Sequence, residues 1–168
     1  MKPIGSFEVE SGIVRITDPC YDKSVGCCGT AGAQSGKWNA FITEEHRSSW
    51  GNRVTSLVAL HESVEDVENI FMEPWLFLDI DVGVDSGQAG IFDDKYYRAD
   101  ENFYEECGSH TLSEKRAGTL KYGAVSSSGL GDGSYVALAL QKDGKNVGIK
   151  IDFFPEVPQE FDPESTEV

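Results

Sequence analysis

The chain has 168 residues, with 14 basic against 29 acidic side chains, a formal net charge of −15 at pH 7 and a hydrophobic share of 39%. That length suits one domain, and so large an acidic excess disfavours tracking of nucleic-acid phosphates or anionic lipid. No run approaches the roughly 20 apolar residues of a membrane span, and the opening Met1 to Glu8 lacks the apolar stretch of a signal peptide, so the expected location is the cytoplasm.

Short β-type runs dominate the chain. Phe7 to Val9 and Ile13 to Ile16 flank a Ser11-Gly12 turn, and Lys37 to Thr43 and Arg53 to Leu60 are joined through Trp50-Gly51-Asn52. Ser63-Val64-Glu65-Asp66 reads as a capping box for a short helix with Val64, Val67 and Phe71 on one face, ending near Pro74. Leu76, Leu78, Ile80, Val82 and Val84 then alternate with Phe77, Asp79, Asp81 and Gly83, which predicts a strand with one face in the core. Tyr96, Tyr97, Phe103, Tyr104 and Cys107 recur at helical spacing after Asp93 and Asp94. Ser134 to Leu140 reads as a strand buried on both faces, and Val147, Ile149, Ile151 and Phe153 alternate again.

The expected fold is therefore mainly β, an α+β arrangement of about nine strands in a sandwich or partly closed barrel with one or two edge helices. Residues 1–154 form the expected domain. The remainder, 155–168, carries Glu156, Glu160, Asp162, Glu164 and Glu167 with three prolines and no base, and reads as an acidic tail.

The chain also hints at an internal duplication. Ser11 to Tyr21 aligns with Ser86 to Tyr96, matching at Ser, Gly, Ile, Asp and Tyr, and Gly36 to Ala40 aligns with Gly133 to Ala137. If both matches are real, a pseudo-twofold axis relates the two halves and puts Asp18 and Asp93 in equivalent positions.

The motifs with chemical content are loops. Val84 to Asp93 and Ser126 to Tyr135 combine small residues, which admit close approach of a guest to backbone amides, with aspartates that would orient it. The second run lacks the Gly-Lys-Ser/Thr ending of a phosphate loop and leads into a strand. The expected binding residues are Asp85, Ser86, Gln88, Asp93, Ser128, Asp132 and Tyr135, with Trp38 and Tyr135 as walls. Val84 to Asp93 and Ser127 to Tyr135, with Asp18 to Tyr21 and Gly51 to Val54, resemble an uncharacterised family of bacteria and their phages. The resemblance implies a small single-domain cytoplasmic protein and brings no activity with it.

Other chemistries fit less well. Asp79, Asp81 and Asp85 share one strand face, which a solvated surface explains as readily as a cation would. Cys20, Cys27, Cys28 and Cys107 have neither zinc-module nor disulfide-framework spacing and are expected to be reduced. A Cys20 nucleophile would need a base from His46, His61 or His110, and His61 reads better as a packed or capping residue. No metal and no cofactor is expected. The functional expectation is a binding protein that holds a small molecule or blocks a basic protein surface. The alternatives are a carboxylate-based hydrolase using Asp85, Asp93 and Asp132, and an inhibitor that mimics nucleic acid.

Overall fold

The computed structural model describes residues 1–26, 28–46 and 48–154. Its elements, in chain order, are β1 (Lys2–Val9), β2 (Ile13–Thr17), β3 (Gly29–Gly32), β4 (Gly36–His46), β5 (Asn52–His61), β6 (Leu76–Val84) and β7 (Gln88–Asp93). Then follow α1 (Phe103–Thr111), β8 (Ala117–Leu120), β9 (Gly123–Ser127), β10 (Gly133–Lys142) and β11 (Lys145–Asp152). A six-stranded sheet, β1-β4-β5-β11-β10-β6, packs on a five-stranded sheet, β3-β2-β7-β9-β8. The result is a sandwich that does not close into a barrel.

The sheet order reads the same from either side of its centre, and the register shows why. In the central pair of the first sheet Val58 faces Lys150, and in the second sheet Ile16 faces Ile91. Around these two points the halves superpose pair by pair. Phe7 opposite Trp38 corresponds to Val82 opposite Tyr135. The irregularity between Thr43 and Glu44 recurs between Leu140 and Gln141. The aromatic contacts are duplicated too, with His61 edge-on to Trp38 at 5.8 Å and Phe153 edge-on to Tyr135 at 5.2 Å. The internal duplication is thus present in three dimensions, and β8 and α1 are additions to the second half.

Between the sheets lies one continuous core, including Phe7, Val14, Ile16, Trp38, Ile42, Leu57, Val82, Ile91, Ile149 and Ile151. Two smaller clusters cover the outer faces. Residues 62–75 cross the outside of the six-stranded sheet, where Val64, Val67, Ile70 and Trp75 pack on Val58, Leu60, Leu140 and Val147. On the outside of the other sheet Phe103 and Cys107, one helical turn apart on α1, pack with Tyr97 on Phe92 and Val125.

Several expectations need correction. The helix expected from Ser63 to Pro74 does not form, and only a 3-10 turn exists at Ile70–Met72. Ser63 is bonded to the His61 ring through both its hydroxyl (2.8 Å) and its N–H (3.1 Å), and the two β-branched valines are drawn separately onto the sheet. The later helix begins at Phe103, because Tyr96 closes a 3-10 turn and Arg98 has a positive φ of 56°. The described residues form eleven strands, since β3, β8 and β9 are short runs rich in small residues with little apolar alternation to announce them. Leu76 and Phe77 of β6 are exposed, so only Val82 and Val84 bring that strand fully into the core. Among the described residues no helix is long and apolar enough to cross a membrane.

Candidate functional site

Two buried aspartates tie the halves together. Asp18, just after β2, reaches across to the turn that precedes β7. Its Oδ2 accepts the N–H groups of Asp85 (2.8 Å) and Ser86 (2.7 Å), and its Oδ1 accepts the N–H of Cys20 (2.8 Å) and the Ser86 hydroxyl (2.6 Å). Asp93, at the end of β7, does the same to the turn before β2. Its Oδ2 takes the N–H groups of Glu10 (2.6 Å) and Ser11 (3.2 Å), and its Oδ1 takes the Ser11 hydroxyl (2.5 Å) and the Lys95 N–H (3.0 Å).

Every donor has its counterpart in the other half. Gly12 and Gly87, with φ of +76° and +71°, supply the left-handed residue that each turn requires. The outer contacts repeat as well, Tyr21 donating to Asp85 and Tyr96 to Glu10. Burial alone would push the Asp93 carboxyl upward, but the Ser11 hydroxyl and the N–H groups of Glu10, Ser11 and Lys95 outweigh it and hold the group below its ordinary range. These carboxylates have four donors each, and their chemistry is spent on joining the duplicated halves.

The two predicted loops do lie side by side. Gln88 pairs with Ser127, Gly133 pairs with Val84, and Asp132 Oδ1 accepts the Gly87 N–H at 2.9 Å. Each predicted residue there is engaged within the protein. Ser86 serves Asp18, Gln88 accepts from Thr111 (2.7 Å), and Ser128 donates to the Gly131 carbonyl (2.7 Å), as does Tyr135 (2.7 Å). Asp93 sits at the far end of β7 from Asp85, so those carboxylates do not converge. Trp38 is not a wall beside Tyr135 but its counterpart in the other half, donating to the Gln34 carbonyl (2.8 Å) as Tyr135 donates to Gly131. Their strands are three spacings apart in the sheet, about 14 Å.

The reactive groups are quenched. Burial, the hydrogen bond to Asp18 and the charges of Asp18 and Asp85 push the Cys20 thiol up to about 12, so it stays protonated at neutral pH. Burial likewise raises Cys107 to about 12. Both thiols are free, as expected, whereas Cys28 is disulfide-bonded and corrects the expectation of four reduced cysteines; Cys27 lies outside the described residues. His61 is buried in the core on Trp38, with its ring nitrogens bonded to Ser63 and the Ser35 carbonyl. Among the described residues no group of three or more His, Cys, Asp or Glu side chains is arranged to hold a metal ion, the acidic face of β6 included.

A hollow lies elsewhere, on the outside of the five-stranded sheet beside α1. It measures about 630 Å³ and is bounded by Phe92, Phe103, Leu120, Tyr96 and Tyr122, with Asp100, Glu101, Glu106 and Lys121 at its mouth. Its floor follows from two missing side chains. A Cβ on Gly90 or Gly123 would stand 2.3 Å or 2.4 Å from the Phe92 ring, so the ring lies against both glycines on neighbouring strands. Phe103 meets that ring edge-on at 5.1 Å, and Tyr96 and Tyr122 stack at 3.7 Å with an interplanar angle of 8°.

Gly90→Ala should cost 2 kcal/mol or more, roughly, because the added methyl also meets the Ala124 carbonyl at 2.5 Å and backbone cannot step aside cheaply. Urea denaturation measures it. The sequence showed Tyr96 and Phe103 only as part of a helical stripe, for Phe92, Leu120 and Tyr122, which complete the hollow, lie on other segments of the chain.

No family model, no curated protein and no solved structure matches this chain.

Proposed function

We propose that this is a small acidic binding protein that holds a small molecule, in the cytoplasm of a bacterial or phage-infected cell, and that the hollow beside α1 is where it does so. The observation that carries the reading is the contrast between the two regions. The aspartate loops have their polar groups committed to each other, whereas the hollow has apolar walls, a few polar groups at its mouth and the volume of a ligand pocket.

Ala99 lines the hollow and is exposed, so Ala99→Trp fills it without entering the core. A thermal-shift screen of small metabolites should find compounds that raise the melting temperature of the wild type by roughly 5–10 °C at saturating concentration and leave Ala99→Trp unmoved. Hits that stabilise both proteins equally would move the site elsewhere. Hydrolytic turnover lost in folded Asp85→Asn or Asp132→Asn would replace binding with catalysis.

A further inference from the structure

We propose that the hollow beside α1 selects a small protonated amine carrying an aromatic or apolar body, an inference that rests on reading that hollow as the ligand site. Its lining separates into two zones. Phe92 and Phe103 are buried and, with Leu120, offer an apolar floor with no polar atom to satisfy. The mouth holds three carboxylates, Asp100, Glu101 and Glu106, against one ammonium, Lys121.

An anionic guest would therefore enter against the majority charge, and a neutral one would gain nothing from it. A cationic guest gains from both zones, its body on the floor and its charge at the rim.

The aromatic wall points the same way. Lys121 Nζ lies 5.3 Å from the centre of the Tyr122 ring, and Lys95 Nζ lies 5.3 Å from that of Tyr96, the ring stacked on Tyr122. This wall already has ammonium groups as neighbours, and the quadrupole of a tyrosine face attracts such a cation. A guest ammonium at the mouth would meet the aromatic wall as Lys121 does, with the carboxylates of the same lining to hold its charge. The wider charge of the chain, −15, adds a long-range attraction for cations of any source, so selectivity must be tested among guests of matched shape.

Isothermal titration with 2-phenylethylammonium, 2-phenylethanol and 3-phenylpropionate makes that comparison on the full chain. The amine should bind about 10-fold or more tightly than the alcohol, and the acid should bind most weakly. The double variant Glu101→Gln/Glu106→Gln should weaken the amine about fivefold or more while leaving the alcohol unchanged, and Ala99→Trp should abolish binding. Both rim residues are exposed, so these variants should fold.

If the alcohol or the acid binds as well as the amine and Ala99→Trp still abolishes binding, the hollow stands as the site and the choice of a cation falls. The same holds if the double variant keeps full affinity for the amine. If none of the three binds at millimolar concentration, the amine inference falls, and the metabolite screen on wild type and Ala99→Trp decides the site separately.

Discussion

Replacing either latch aspartate, Asp18→Asn or Asp93→Asn, should destabilise the protein by about 3 kcal/mol, lowering the melting temperature by roughly 6–12 °C. Each carboxylate oxygen accepts two donors, so whichever way the new amide turns, its NH2 group faces N–H or O–H groups that have lost their acceptor. Both residues are fully buried, which leaves water no route to replace the bonds. Because the two latches are equivalent, the costs should be similar. Ser86→Ala removes one donor of four and should cost only about 1 kcal/mol.

The pH dependence follows for Asp93, whose carboxyl is held below its ordinary value in the folded chain. A depressed acid stabilises the fold in full above its unfolded pKa of about 4 and loses that contribution as pH falls through the lower folded value. Acid unfolding of Asp93→Asn should therefore lack that component, and equal acid sensitivity of wild type and variant would show that the latch is not ionised.

Trp38→Ala should cost about 3–5 kcal/mol, read by urea denaturation with an unchanged m-value. The indole is 1% exposed, stacks on Phe7 at 6.4 Å and meets His61 edge-on, and the sheets cannot close over so large a void. Tyr135→Phe, at the equivalent place in the other half, keeps the volume and loses only the bond to Gly131, so about 1 kcal/mol is expected. A cost below about 1 kcal/mol would show that the sheets do close over the void.

Much of the architecture was legible without coordinates. Alternation at Val147 to Phe153 and the apolar run after Ser134 follow from a pleat that turns every second side chain inward, so strands on the core announce themselves locally. The duplication was legible for the same reason, because turn glycines and the Ser and Asp of each latch are demanded at fixed distances from their strands.

Tertiary structure decided the rest. The capping box at Ser63 lost to packing, since Val64 and Val67 gained more from the open face of the six-stranded sheet than a short helix could return. Which aspartates were structural depended on partners from the opposite half of the chain, for the duplication marks Asp18 and Asp93 as equivalent without saying which turns they hold. The hollow beside α1 needed β7, the segment after it, α1 and the β8–β9 turn at once. Local pattern records what each residue wants from its own strand or turn, and it is silent about which distant residues will meet there.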